Sequence, residues 1–437
     1  MPATAVLLAA GLGTRMKSVL PKACHPIAGQ PMLRHLIDSA TAAFERIVVV
    51  VGPDMPQVAA LAAPHPVVVQ QERLGTGHAA LQAASLFGEG EVAVLYADNP
   101  LVTPQTLRAL LARRAKGDVG LALLAMRPDD PGRYGRVIGA NGLVERIVEW
   151  ADASEAERAE GLCNAGVLCA PAARMAGWLR ALRNDNAKGE YYLTDVVALA
   201  RAEGARVAAV EAPYEELRGI NSRAELAEAE AVVQRRLRLA ALEAGVTMTA
   251  PETVFLATDT RLASDVTVGP NVVFGPGVTV ESGVEIHAFS HLAGCHVGAS
   301  AIVGPFARLR PGTTVGAGAH VGNFVELKNT ALGAGAKANH LSYLGDADIG
   351  ARSNVGAGTI TCNYDGYAKH RTRIGAGVFV GSDAVLVAPV SIGDGAFIAA
   401  GSVITETVED DAMAFGRARQ ENKPGRAAAF RAARGKR

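Results

Sequence analysis

Apolar and polar positions follow two different rules in the two halves of the chain. Up to about residue 222, the runs AVLLAA, RIVVVVG, EVAVLYAD and VGLALLAM alternate with segments whose apolar residues recur at helical spacing. Continuous apolar runs of this kind are strands buried on both faces, and their alternation with helices predicts a mostly parallel sheet covered by helices. In TPQTLRALLARRA, Thr103 is placed to cap a helix and Pro104 to occupy its first position, where a missing N–H costs nothing. A longer helix is predicted over SRAELAEAEAVVQRRLRLAALEAG, opened by Ser222 and Glu225 at capping-box spacing and closed at Gly245. It reads as a connector.

Beyond the connector the period becomes six. Leu262, Val268, Phe274, Val280 and Ile286 keep it, as do Val303, Leu309, Val315, Val321 and Leu327, and then Val380, Leu386, Ile392, Ile398 and Ile404. A six-residue period means three short strands per coil of about eighteen residues, with the aliphatic side chain inside a prism and glycine easing the corners. The predicted architecture is a parallel β-helix. The repeat is expected to break once, between Thr361 and Ile374, where TCNYDGYAKHRTR extrudes a polar loop. Nearby ARLRPG, NFVELKN, NHLSYLGD and SNVGAG concentrate basic, amide and aromatic side chains that a bare scaffold does not need.

Composition narrows the partners. With 437 residues, 49% of them hydrophobic, the chain has material for two or three cores. Lys plus Arg and Asp plus Glu both total 43, so no net charge draws it to nucleic acid. The five cysteines at positions 24, 163, 169, 295 and 362 show no CxxC and no metal spacing. Together with an apolar N-terminal run too short for a leader or a membrane span, this predicts a cytoplasmic protein with free thiols and no membrane insertion.

The stretch LLAAGLGTRMKSVLPK, residues 7–22, carries the first chemistry. It lacks the second glycine of a P-loop, and Met16 stands where a dinucleotide fingerprint needs its third. What remains is a strand ending at Ala9, a glycine-rich turn whose N–H groups can form an anion nest, and the cations Arg15 and Lys22. That set suits a triphosphate.

LAAGLGTRM…PK, QERLGTGHA, LYADNPL, YGRV, IVEW, GEYYLTD and GINSR, followed by GPFARLRPG, HVGNFVELK, NHLSYLGDA and GAGTITCNYDG, resemble the bacterial bifunctional N-acetylglucosamine-1-phosphate uridyltransferase and glucosamine-1-phosphate N-acetyltransferase family over nearly the whole chain. The resemblance implies an α/β Rossmann-like nucleotidyltransferase domain at 1–222, a linker helix at 223–245, a left-handed parallel β-helix acetyltransferase domain at 246–417 and a basic tail at 418–437, which by composition is solvated and disordered. It implies a homotrimer that makes UDP-N-acetylglucosamine for peptidoglycan and lipopolysaccharide, first by acetyl transfer from acetyl-CoA to glucosamine 1-phosphate and then by uridylyl transfer from UTP to N-acetylglucosamine 1-phosphate.

Residue by residue, Leu8, Ala9, Ala10 and Gly11 resemble the turn that meets uracil and ribose, and Gln70, Gly75 and Thr76 the uracil readers. Gly135, Glu149 and Asn164 resemble the sugar pocket, and Asp98 with Asn221 the pair that holds Mg²⁺. An oxygen-only pair suits a cation that keeps water and phosphate ligands, and Arg15 and Lys22 would hold charge in an in-line displacement. In the second half Arg310, Lys328, Tyr343 and Asn354 resemble the grip on the amino-sugar phosphate, and His340 the general base; an imidazole with an ordinary pKa near 6.5 can take the amine proton. Ala357 through its backbone, Asn363, Tyr364, Ser382, Ala400 and Arg417 resemble acetyl-CoA and remaining substrate contacts, while Cys362 is a bystander to direct transfer. Ala97, Ala151, Ala165, Asn339 and Gly416 depart from the family's usual residues, which bears on affinity and not on reaction class. Two other readings remain: a single-activity pyrophosphorylase with a structural or regulatory β-helix, and a non-catalytic regulatory subunit of the translation-factor exchange type.

Overall fold

The computed structural model describes residues 2–186 and 188–435. The chain divides into two compact units, Met1–Arg236 and Leu237–Arg437, with the helix Arg223–Glu243 running through the division. Ser222 and Glu225 cap that helix reciprocally: Ser222 N donates to the Glu225 carboxylate at 2.8 Å, and Glu225 N donates to Ser222 Oγ at 3.2 Å.

The first unit is built on a nine-stranded sheet. Across it lie Val67–Val69, Arg46–Val51, Ala3–Ala9, Glu91–Tyr96, Cys163–Pro171, Leu121–Met126, Val207–Glu211, Leu143–Val148 and Arg136–Ala140. The four apolar runs read from the sequence are four of these strands. The sheet is more mixed than expected, because Cys163–Pro171 runs antiparallel between Glu91–Tyr96 and Leu121–Met126, and the last two strands form an antiparallel hairpin. Helices cover both faces, and two separate clusters of buried side chains fill the layers. Thr103 caps Pro104–Ala115 as its sequence position predicts.

The second unit is a prism of three parallel sheets, of ten, eight and eight strands, consistent with the expected left-handed β-helix. Of the fifteen apolar positions named above, all but the half-buried Leu262 point fully inside. The expectation of one break is incomplete. Besides the excursion from Thr361 to Ile374, three steps shrink to five residues, at Leu292–Val297, Leu327–Leu332 and Leu344–Ile349, and all of them lie at the corner leading from the third sheet to the second. At each, the second residue of the corner takes a left-handed backbone: Gly294 (φ 54°), Asn329 (φ 48°) and Asp346 (φ 48°). The six-residue corners carry a left-handed residue as well, for example Asn271 (φ 56°) and Gly283 (φ 72°), but there it stands three positions after the inward residue and not two.

The basic tail is also not wholly irregular. Arg426–Arg434, RAAAFRAAR, forms an exposed helix, because Ala and Arg have high helix propensity and Arg431 and Arg434 lie at the favourable end of its dipole. Lys436 and Arg437 lie outside the described residues.

Candidate functional sites

The first site opens at the end of the central strands Ala3–Ala9 and Glu91–Tyr96, where open α/β sheets receive their ligands. A cavity of about 270 Å³ is lined by Leu8, Ala9, Ala10 and Gly11 on one side, Gln70, Gly75 and Thr76 on another, and Lys22 and Asp98 at the charged end. Gln70, 3% exposed, donates from Nε2 to the Gly75 carbonyl at 3.1 Å. Lys22 follows Pro21 on a short 3-10 turn, and its Nζ stands 2.7 Å from Asp98 Oδ2 and 3.0 Å from Asn221 Oδ1. A cation thus already bridges the two oxygen donors expected to hold Mg²⁺, so the donor set fits a cation. No group of three or more His, Cys, Asp or Glu that could hold a metal occurs among the described residues.

Gly135, Glu149 and Asn164 form a neighbouring cluster. Asn164 N donates to the Gly135 carbonyl at 2.8 Å, and the Cα of Gly135 faces the Glu149 carboxyl, which accepts from Thr194 Oγ1 at 3.4 Å. Burial pushes the Glu149 carboxyl above the usual carboxylate range, against the Thr194 hydrogen bond and the Lys188 charge. Arg15 is not brought into the cavity; it stands exposed on the turn Thr14–Met16. Among the lining residues that sequence reasoning missed, three carry polar groups: Arg73, which donates from Nε to the Ala10 carbonyl at 2.9 Å, Tyr96 and Glu190. Each lies inside a motif already singled out, QERLGTGHA, LYADNPL or GEYYLTD.

The second site lies on the β-helix. Asn323, His340, Ala357, Ser382 and Ala400 each stand two positions after an inward residue of the first sheet, namely Val321, Ala338, Val355, Val380 and Ile398, which pair in register from coil to coil. They form one column on the prism's edge. Its lower members are packed coil on coil: the Ala357 carbonyl accepts from Asp383 N at 2.7 Å and the Ser382 carbonyl from Gly401 N at 2.8 Å, with the Arg417 side chain passing over Gly401. His340 is exposed, and its Nδ1 lies 2.7 Å from Asn323 Oδ1.

Three residues beyond His340 the chain enters the third sheet at Tyr343, paired with Glu326, which in turn pairs with Arg308. Arg310 is held by Glu326 at 2.8 Å, and Lys328 lies 4.0 Å from Asp346. The short corners matter here: Asn329 Nδ2 donates to Asp346 Oδ1 at 2.6 Å, and Asn363, at the start of the extruded loop, donates to the other oxygen. Burial alone would raise the Asp346 pKa, but those two amides and Lys328 outweigh it and hold the carboxyl below its usual range. The loop also returns Lys369 to Lys328, whose ammonium group pushes the Lys369 pKa down. Two like charges brought together make an anion site. Lys369 was missed because a 41-residue separation carries no spacing signal. A side chain at Gly345 would place its Cβ 2.5 Å from the Tyr343 hydroxyl, so glycine is required where that ring crosses. Tyr364 is exposed on the loop. Asn354 stands on the first sheet, in register with Lys337 and Phe379, apart from the Arg310–Lys328–Tyr343 group on the third.

Fold and sites together define a nucleotidyltransferase domain followed by a hexapeptide-repeat transferase. Residues 5–187 match the MobA-like NTP transferase domain, and residues 371–406 match the bacterial transferase hexapeptide model of six repeats. The chain is 72% identical over 436 residues to the bifunctional protein GlmU of Gluconacetobacter diazotrophicus, covering 99% of this chain and 95% of that one. It is 68% identical to the protein of the same name from Acidiphilium cryptum, covering 99% of both, and 67% identical to that of Granulibacter bethesdensis, covering 98% and 96%. The chain belongs to the bifunctional GlmU family.

Proposed function

We infer that the chain carries two activities: acetyl transfer from acetyl-CoA to glucosamine 1-phosphate on the β-helix, and uridylyl transfer from UTP to N-acetylglucosamine 1-phosphate, with release of pyrophosphate, in the first unit. The observation that carries the pairing is the edge column. It sets an exposed imidazole at the head of a straight ledge of small residues, three positions from a cluster of cations, whereas a bare scaffold needs neither. His340 takes a proton from the amine as its nitrogen attacks the thioester carbonyl, and the thiolate of coenzyme A leaves. Arg310, Lys328, Lys369 and Tyr343 hold the sugar phosphate. The ledge Ala357, Ser382 and Ala400 admits an extended pantetheine arm, with Asn363, Tyr364 and Arg417 as further contacts and Asn354 on the substrate side.

In the first unit Leu8–Gly11, Gln70, Gly75 and Thr76 hold the uridine, Gly135, Glu149 and Asn164 the sugar, and Lys22 with Arg15 the phosphates. Asp98 and Asn221 are the residues to hold Mg²⁺, which when bound offsets phosphate charge. The phosphate of the sugar attacks the α-phosphorus in line; no protein nucleophile is required, so positioning and fixed charge supply the rate. We further propose a cytoplasmic homotrimer with no nucleic-acid partner; no helix among the described residues is long and apolar enough to cross a membrane. The half-exposed stack of Phe289, Phe306 and Phe324, with ring centroids 5.0 and 5.1 Å apart, supports contact with a neighbouring prism, and sedimentation equilibrium tests it.

The test is a coupled assay with glucosamine 1-phosphate, acetyl-CoA, UTP and Mg²⁺, reading free thiol and pyrophosphate separately. His340→Ala is expected to abolish thiol release alone, and Asp98→Ala pyrophosphate release alone when N-acetylglucosamine 1-phosphate is supplied. Pyrophosphate without thiol from the unaltered protein would reduce the β-helix to a scaffold.

A further inference from the structure

We propose that His78 sets the base specificity of the nucleotide cavity, as a positioning residue that holds the Gln70 amide with its oxygen towards the bound base. This rests on the reading of the cavity as a UTP site. A buried glutamine amide can present either a donor or an acceptor to a ligand, and uracil and cytosine differ in just that respect: uracil offers an N3–H donor, cytosine an N3 acceptor. The orientation of Gln70 is therefore the discriminating feature.

Two neighbours set it. The Gly75 carbonyl, which can only accept, lies 3.1 Å from one end of the amide, so that end is Nε2. The second Nε2 proton points at His78 Nδ1, also 3.1 Å away. His78 must then be the tautomer with a lone pair on Nδ1 and its proton on Nε2. On the other side of the ring, Nε2 lies 3.1 Å from the Gln82 amide nitrogen, which also donates to the His78 carbonyl at 3.2 Å, so this tautomer requires the less buried Gln82 side chain to swing away and leave the Nε2 proton to solvent. The ring is kept in place by its position on the helix Thr76–Gln82 and by the tilted ring of Tyr191, 6.2 Å away. With both Nε2 protons engaged, Oε1 is the group left to the cavity that Gln70 lines. It accepts from uracil N3–H and repels the lone pair of cytosine N3. Without His78 one buried donor proton has no partner, and the amide, still tied to the Gly75 carbonyl, gains by rotating away from the base to a place where that proton is satisfied.

The experiment compares kcat/KM for UTP and CTP, with N-acetylglucosamine 1-phosphate and Mg²⁺, in the full chain and in His78→Leu, His78→Asn and Gln70→Ala. The UTP-over-CTP ratio is the readout, because a general loosening of the fold lowers both nucleotides together. In His78→Leu the ratio is expected to narrow by roughly tenfold or more, the loss associated with one misplaced buried hydrogen bond. In His78→Asn the side-chain oxygen replaces Nδ1 and the ratio is restored. A wild-type ratio in His78→Leu, with the ratio lost in Gln70→Ala, overturns the role of His78 alone. An undiminished ratio in Gln70→Ala, or no preference in the unaltered protein, removes Gln70 as the reader and the proposal with it. No turnover of either nucleotide by the unaltered protein is the failure of the UTP reading itself.

Discussion

The Lys22 ammonium stands 2.7 Å from Asp98 Oδ2, with Asn221 Oδ1 on its other side at 3.0 Å. This side chain occupies the space between the two oxygens proposed as metal donors, so Lys22 and a divalent cation would compete for one place. Replacing it should therefore have opposite effects on binding and turnover. Lys22→Met is expected to lower pyrophosphate release by roughly 100-fold, because a fixed charge on the phosphates is lost, and to tighten Mn²⁺ binding in the absence of nucleotide, read from the electron-spin signal of free Mn²⁺. Asp98→Asn should weaken that binding. An unchanged Mn²⁺ affinity in Lys22→Met would show that the ammonium does not compete.

On the β-helix the equivalent relationship joins His340 to Asn323, 2.7 Å apart on adjacent coils. With Asn323 Oδ1 accepting from Nδ1–H, the lone pair of Nε2 is left to the substrate amine. Removing the base is expected to cost roughly 100-fold or more in thiol release. Asn323→Ala, which removes only the hydrogen bond that sets the tautomer, should cost about tenfold. Both variants should release pyrophosphate from UTP and N-acetylglucosamine 1-phosphate at the unaltered rate; a parallel fall there would point to misfolding.

How much of this was legible in the sequence depends on whether the requirement is local. Val268, Ile286 and the other inward residues each meet a demand repeated every six positions, so the prism could be read directly. The five-residue corners could not, since Asn and Asp take the same left-handed backbone at full-length corners, as Asp265 and Asn271 do, and residue type alone does not mark the shorter step. Asp98 and Asn221, 123 positions apart, are brought together by a sheet whose order no spacing rule encodes; the family resemblance named them, and periodicity did not. His78 and Asn323 were passed over because their work is done on another side chain, within motifs that had been read for their ligand contacts alone.

His25 gives the first unit a dependence on pH. It is 2% exposed, and its Nδ1 lies 3.2 Å from Arg223 Nη1. Burial first, and then the Arg223 charge, hold its pKa below the ordinary value, outweighing a hydrogen bond to the Leu20 backbone. The unfolded chain, with an ordinary imidazole pKa near 6.5, binds the proton at higher pH than the folded one. Stability from this residue is thus complete above about pH 6.5 and is lost as the pH falls below it towards the folded value. Calorimetry of the full chain between pH 7.5 and 5.5 should show the transition of the first unit moving down in temperature. His25→Asn is expected to lower that transition at pH 7.5 and to flatten its slope with pH; an unchanged slope would assign the effect to other groups.

Gly166 supports the nucleotide cavity from behind. It lies where the strand Cys163–Pro171 shifts register against Leu121–Met126, with φ at 80°, and a Cβ there would stand 2.1 Å from Tyr96 Cε2. Tyr96 is itself part of the cavity wall. Gly166→Ala therefore carries two penalties: about 1–2 kcal/mol for a side chain in the left-handed region, and a displacement of the Tyr96 ring towards the bound nucleotide. The expected result is a rise of roughly tenfold in KM for UTP, a first-unit transition lowered by several degrees, and unaltered thiol release. The second penalty is separable from the first, because Tyr96→Ala in the same chain removes the ring that the new methyl strikes. If the displacement is the cause, Gly166→Ala should raise KM much less in the Tyr96→Ala background than in the unaltered one. Equal effects in both backgrounds would leave backbone strain as the whole explanation and free the Tyr96 ring from any part in shaping the cavity through Gly166.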